Sequence, residues 1–353
     1  LNQVHNRGTA FPGAQSMDGS RIFVRPTEQT ITLDSGGDDV KLILFDSSGD
    51  QSAATTLDTI MQSASYGSAG QAANGPWTIS EVAATIEDWL QGNGAAGATA
   101  SIGTDGTFDI ALNTTTLNLA FRDESATTDG STNEDVVIAY DAGGTTVTDD
   151  TESISGFSYF FGLNDFVVTS RKDYMWDSNQ VSSALTTPAS SQTLNFRDST
   201  GTLTGSPLTV PAATNLSDLA TLITDSVTNV TAIVVPEGNG SRLRITHDNG
   251  SSIAITEGSG NTILTELGLH RSSADISQAL AVRTDIVSSP ASIATGRPQW
   301  NADLGSAGEY FMSIGDGTNI KALVEVMTTT NSFEQAGGIP DIARTFSAYA
   351  AEI

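Results

Sequence analysis

The chain has 353 residues, with 41 acidic against 15 basic side chains and a formal net charge of −26. A field of that sign repels phosphate backbones and anionic lipid, so nucleic-acid binding is all but excluded, and no run of about 18 apolar residues marks a membrane span. Cysteine is absent, which removes disulfides, thiolate metal sites and cysteine nucleophiles, while 86 serines and threonines suit strands and turns better than long helices.

The length corresponds to two or three domains. The first residue is not Met, and no basic-then-apolar leader precedes the pattern, so the sequence reads as an internal or processed segment. Residues 1–33 open with Leu1 and Val4, pass through a loop around Pro12 and Gly19, and then alternate. The runs Arg21-Ile22-Phe23-Val24 and Thr30-Ile31-Thr32-Leu33 predict strands.

The middle of the chain is a duplication. Leu42-Ile43-Leu44-Phe45-Asp46-Ser47-Ser48-Gly49 corresponds to Leu194-Asn195-Phe196-Arg197-Asp198-Ser199-Thr200-Gly201, each an apolar strand entering an Asp-Ser-(Ser/Thr)-Gly turn. Helices follow at Thr78–Asp88 and Asn215–Asp225, with Ser80 and Ser217 read as N-caps and Val82/Ile86 and Leu219/Ile223 on one face. Gly-containing hairpins come next, with turns at Asp105-Gly106 and Asn239-Gly240, and both copies close on Gly-Leu at Gly162-Leu163 and Gly268-Leu269. Gly67–Gly75, Thr145–Ser155 and Ser182–Ser191 read as loops or linkers. Two copies are too few for a solenoid.

The C-terminal part is more helical. Ile320, Leu323, Val324 and Met327 follow helical spacing after Asp316, and Ile342, Phe346, Tyr349 and Ile353 form a second stripe after Pro340-Asp341 that reaches the last residue without a stop signal. These four are the candidate stem and assembly contacts. The fold class expected is α+β and β-rich, with several domains. A helical/β stem built from residues 1–36 and 275–353 carries two nested, duplicated modules at 37–170 and 171–274, each a strand, a helix and then antiparallel strands.

Catalytic signals are weak. Gly92, Gly94 and Gly97 spell G-x-G-x-x-G, but after a helix and before a strand, the reverse of a dinucleotide site. His5, His247 and His270 are far apart in sequence, and a surface or rim placement is expected for them. The acid clusters Asp34–Asp39, Asp46–Asp50 and Asp149–Glu152 do not fit the twelve-residue calcium loop; they read as solvated turns, with weak calcium binding the alternative. A paired-acid hydrolase cannot be argued from spacing among 41 acids. The aromatic run Phe157–Phe166 reads as core at a junction, with a sugar-stacking platform as the other reading. No catalytic residue, metal or cofactor is assigned.

Several segments carry a family likeness. Phe160-Phe161-Gly162-Leu163-Asn164-Asp165-Phe166, Asn2 to Gly8 with its Asn-x-x-His, Ala281–Ile286 through Ser289-Pro290 to Gly296, Gly315-Asp316-Gly317-Thr318-Asn319 with Ala322-Leu323, and Phe346-Ser347-Ala348-Tyr349 together resemble the flagellar hook-associated protein FlgK family. Thr209 to Ile245 is similar to the flagellin IN motif. The resemblance implies a structural, non-enzymatic subunit of the bacterial flagellum that joins hook to filament. It also implies an extracellular location after export through the flagellar channel. The partners implied are further copies of the chain, the hook protein, the next hook-associated protein toward the filament, and an export chaperone. The family's terminal helical regions are missing from the sequence. Residue patterns alone leave open a secreted acidic β-rich adhesin or glycan-binding module.

Overall fold

The computed structural model describes all residues except 24–25, 35–38, 68–69, 104–105, 126–127, 142–151, 170–173, 183, 199–201, 250, 259, 272–279, 334–341 and 351–353. The fold is α+β and β-rich, made of small antiparallel sheets with few helices. The first module contains strands β1 (Ser16–Asp18), β2 (Thr30–Leu33), β3 (Asp39–Phe45) and β4 (Gln51–Thr56). Strands β5 (Trp77–Thr78), β6 (Thr99–Ile102), β7 (Phe108–Ala111) and β8 (Asn118–Glu124) follow, then β9 (Val137–Asp141) and β10 (Glu152–Ser155). Its helices are α2 (Leu57–Gln62), α3 (Ile79–Gly92) and α4 (Phe157–Phe161); the short α1 (Asn2–Asn6) precedes it. After β11 (Val167–Thr169), the second module holds β12 (Met175–Asp177), β13 (Thr186–Thr187), β14 (Gln192–Arg197), β15 (Leu208–Val210), β16 (Thr214–Asn215) and α5 (Leu216–Ser226). It ends with β17 (Val230–Glu237), β18 (Gly240–His247), β19 (Ala254–Glu257), α6 (Ile263–Leu267) and β20 (His270–Arg271).

The duplication is visible strand by strand. In the first module β7 pairs with β1 and β6, β2 with β5, and β3 with β4 and β8. In the second, β18 pairs with β12 and β17, β13 with β16, and β14 with β15 and β19, all antiparallel. These five pairings recur in the second module, so the repeated unit starts at β1 and β12, upstream of the boundary expected from the Leu42 and Leu194 runs. The β2–β9 and β9–β10 pairings belong to the first module and β12–β20 to the second. Strands β1 and β2 lie within residues 1–36, yet Met17, Phe23, Ile31 and Leu33 sit in the first module's core. That part of the segment belongs to the module, because β1 pairs with β7 and β2 with β9 and their apolar side chains share its core. Arg21, Ile22 and Phe23 form no strand; Phe23 instead anchors a connection through its amide on the Gly106 carbonyl.

Local signals explain the equivalence. Both helices are capped two residues before the serines read as caps, at Thr78 and Asn215. Thr78 accepts from the Glu81 amide at 3.2 Å while Glu81 accepts from the Thr78 amide at 2.8 Å, a reciprocal capping box. Asn215 plays the same part, accepting from the Asp218 amide at 2.9 Å. The Asp turns match as well: Asp50 donates its amide to the Asp46 carboxylate at 3.1 Å, and Thr202 does so to Asp198 at 3.0 Å. The two-residue hairpin turn between β17 and β18 is Gly238-Asn239, one residue earlier than the Asn239-Gly240 expected, because Glu237 pairs directly with Gly240.

The closing Gly-Leu pairs are helix stops. Gly162 and Gly268 adopt left-handed φ of 68° and 57°. Leu163 donates to Ser158 and Gly162 to Tyr159, as Leu269 donates to Leu264 and Gly268 to Thr265. Both are Schellman caps, which require a residue free of the Cβ penalty at that position.

The modules also differ in how β3 and β14 are covered. Around β3 both faces are covered: Leu42 and Leu44 enter the main core, while Ile43 and Phe45 join Tyr310 and Met312 on the opposite side. The cover is a hairpin of β22 (Gln299–Asn301) and β23 (Glu309–Phe311), whose Trp300 and Tyr310 rings lie 4.8 Å apart. In β14 the equivalents of Ile43 and Phe45 are Asn195 and Arg197, and only the alternate residues Leu194 and Phe196 are in its core. A charged cluster locks the hairpin to the first module. Glu124, fully buried, accepts from Tyr310 at 3.0 Å and lies 3.1 Å from Arg122 and 3.7 Å from buried Lys41. Burial holds the Glu124 carboxyl above its ordinary pKa, with Arg122 opposing.

The remaining elements are β21 (Leu280–Val282), α7 (Thr284–Ser288), α8 (Thr318–Thr328), β24 (Asn331–Phe333), β25 (Ile342–Arg344) and α9 (Phe346–Ala350). The expected helical stripe over Ile342, Phe346, Tyr349 and Ile353 does not form. Ile342 pairs with Phe333 in a strand, and Thr345 accepts from the Ala348 amide at 3.3 Å to start α9 at Phe346. Ile353 lies outside the described residues. Helix α8 forms where expected, but of its stripe only Leu323 is buried, at 7% exposure, whereas Val324 is 56% exposed and Met327 45%.

The clusters around Ile86 and Ile223 share no residue. Ile86→Ala and Ile223→Ala should therefore each cost about 2–5 kcal/mol, and calorimetry should show each lowering only its own module's transition. Glu124→Ala leaves Lys41 and Arg122 buried with less compensation and should cost about 3–5 kcal/mol in denaturant unfolding.

Candidate functional site: the joint between the chain ends

Four segments distant in sequence converge on one buried polar node. Helix α1 supplies Asn2, His5 and Asn6. The Asn2 Oδ1 accepts the Phe166 and Val167 amides at 3.1 and 2.9 Å, and its Nδ2 donates to the Val167 carbonyl at 2.7 Å. Asn6 accepts the Asn164 amide at 2.8 Å and donates to Asp165 at 2.7 Å. Asn164 returns the contact, donating to the carbonyls of Gly8 at 2.9 Å and His5 at 3.3 Å. Ser20 adds a hydroxyl to Asp165 at 2.5 Å.

The C-terminal part meets the same node. Thr9 and Gly296 exchange amide–carbonyl bonds of 2.9 and 3.3 Å, and β11 pairs with β21. Asn319, fully buried at the start of α8, donates to the Ala294 carbonyl at 3.0 Å and the His5 carbonyl at 3.4 Å. A Cβ on Gly8 would collide with Asn319 and stand 2.7 Å from the Gly296 carbonyl, so only glycine allows this approach. Arg283 donates to the Leu163 carbonyl at 2.9 Å while gripping Asp285 with two bonds of 2.7 Å.

His5 is fully buried, against the surface placement expected for it. Its Nε2 accepts the Ala294 amide at 3.0 Å, so the ring's proton resides on Nδ1, which donates to the Asn164 carbonyl at 2.6 Å. Burial lowers the pKa of this imidazole, and Arg283 pushes the same way; Asn164, Asp165 and Asp285 act in the opposite direction. No periodicity marks a buried histidine in a five-residue helix, so the clue available was its place in the Asn-x-x-His resemblance.

Beside the node, Arg7 grips Asp135 with two bonds of 2.7 Å, and Gln3 donates to the same carboxylate at 3.0 Å. Asp123 accepts the Phe157 amide at 3.0 Å, supplying the N-terminal partner that Gly156 cannot give α4. Its pKa is pushed up to about 7, chiefly by burial, with the Asp135 charge adding. A cavity of about 330 Å³ adjoins the joint, lined by Thr9, Gln15, Asn118, Asn164, Arg283 and Asp285 among others.

Other sequence candidates fall elsewhere. Phe157, Phe160 and Phe161 are fully buried and pack on Phe23, Phe108 and Phe121, leaving Tyr159 as the outward ring of helix α4. The run is core, which corrects the sugar-platform alternative. Gly92 ends α3 and Gly94 follows it, so these glycines lie at a helix C-terminus, not at phosphate-binding amides. His247 is buried and His270 turns its Nδ1 to the Gly268 carbonyl. Among the described residues no group of three or more His, Cys, Asp or Glu side chains is placed to hold a metal ion. Two of the acidic turns extend beyond that set, since residues 35–38 and 149–151 lie outside the described residues. Among described residues no helix is long and apolar enough to cross a membrane.

No family model matches the sequence, and no curated protein matches it. Among solved structures the flagellar cap protein FliD from Helicobacter pylori is similar over 92% of this chain and 76% of that one, at 12% identity and a TM-score of 0.17. At that score the likeness carries no inference about fold.

The Asp123 shift gives a pH prediction. A carboxyl raised in the folded state contributes stability below its ordinary pKa near 4, which is lost as pH rises through about 7. Asp123→Asn keeps an acceptor for Phe157 and should gain stability over the parent chain as pH rises from about 4 to about 8, read by urea unfolding.

Proposed function

We propose that this chain is a structural subunit of the bacterial flagellum that joins hook to filament in the junction zone. The observation that carries the reading is convergence. Asn2–Gly8, Phe160–Phe166, Ala281–Gly296 and Gly315–Leu323 carry the family resemblance, and they meet in one joint. Residues chosen for a catalytic reason would present reactive atoms to a cleft. Here Asn2, His5, Asn164 and Asn319 instead direct their polar atoms to main-chain groups, which supports a mechanical, non-enzymatic role. In this reading the chain works outside the cell after export through the flagellar channel. Its partners are copies of itself, the hook protein, the next hook-associated protein and an export chaperone.

The test is electron microscopy of flagella from a strain lacking the gene. Bare hooks, with filament protein shed to the medium, are the expected result. Filaments assembled normally on the hook would overturn the reading.

A further inference from the structure

We infer that His5 makes the joint an acid-releasable latch: adding a proton to its ring detaches residues 2–9 from residues 294–319 while both modules remain folded. The inference stands on hydrogen-bond geometry and does not depend on where the chain works. Both ring nitrogens are committed to main-chain groups, Nδ1 to the Asn164 carbonyl and Nε2 to the Ala294 amide. The second bond requires an unprotonated Nε2. A proton there sets one N–H against another, inside a site with no exposure to water. The ring therefore leaves when it is charged. With it goes the Ala294 contact, which spans 289 residues of sequence.

The charged groups around the ring do not rescue the proton. On its own element, Arg7 is turned to Asp135. From the connection after α4 comes Asp165, already engaged by Asn6 and Ser20. From β21 and α7 come Arg283, which repels a charged ring, and Asp285, which Arg283 neutralises. From the segment before α8 come Arg297, donating its side chain to Asn319, and Asp316, bound to the Arg297 amide. From β8 comes Asp123, whose own protonation in acid removes repulsion with Asp135 and works against release. The folded state favours neutral His5, so the latch holds above the ordinary histidine pKa of about 6.5 and weakens as pH falls below it. One proton sets the limit: the open population grows by no more than about tenfold per pH unit.

Amide exchange on the whole chain tests this, corrected for the intrinsic pH dependence of exchange and read by mass spectrometry. Peptides covering 1–10 and 290–300 should lose protection several-fold between about pH 7 and about pH 5, while 40–45 and 216–226 stay protected. In His5→Gln the protection of the first two peptides should not vary with pH, whether that variant is held or loosened. Asp123→Asn should retain the acid loss. A parent chain with pH-independent protection at 1–10 and 290–300, or a His5→Gln chain that still loses it in acid, would overturn the inference.

Discussion

A buried main-chain amide or carbonyl left without a partner costs about 1–3 kcal/mol, and this cost governs the place where the chain's two ends meet. Helix α1 has five residues and α4 has five, so most of their terminal groups have no partner inside the helix. Neither end can be docked by a long ladder. Amide side chains supply what the ladder would have given, because Asn offers donor and acceptor on one short stem. Asn2 takes two amides and gives to one carbonyl; Asn164 and Asn319 reach carbonyls of α1 and its neighbour. Histidine completes the set with one nitrogen of each kind.

The same rule shapes the duplicated modules, which keep a common ladder while differing in what covers them. Ile43 and Phe45 need a lid and receive the hairpin with Trp300 and Tyr310; Asn195 and Arg197 form the corresponding polar positions. Strand β17 shows how an edge is closed without another strand. The Thr224 hydroxyl on α5 accepts the Ala232 amide at 2.9 Å and approaches its carbonyl at 3.3 Å, and Pro236 offers no N–H at all. An edge so occupied is a poor template for a further strand.

Cations are scarce in a chain of charge −26, and several of the 15 are engaged in ion pairs and hydrogen bonds between its own segments. Lys41 and Arg122 hold Glu124 under the hairpin, Arg283 ties α7 to the end of α4, and Arg7 ties α1 to Asp135. Arg242 and Arg244 brace Asp177 across the second module's sheet. Basic side chains thus mark where segments are joined, while the acidic excess keeps the exterior strongly negative.

Several strand runs, the helix faces and the Asp turns were legible in the sequence because each is decided within a few residues, by period, by a cap or by turn chemistry. Gly-Leu was legible as a recurring close, but its part as a helix stop was not. The duplication was legible for the same reason, although its true start at β1 and β12 was hidden: three-residue strands carry too little pattern to read. The cap at Thr78 was displaced by two residues in reading because Ser80 has the right chemistry, and only the capping box with Glu81 separates them. The stripe at Ile342 failed as a helix because Thr345 starts a new one and Ile342 finds a partner in Phe333, a strand pairing that helical spacing alone cannot weigh. The burial of His5 and the meeting of four segments around it were decided by tertiary structure alone. Those contacts join groups up to 314 residues apart, and their energies come from desolvated main-chain partners that do not exist until the chain has folded.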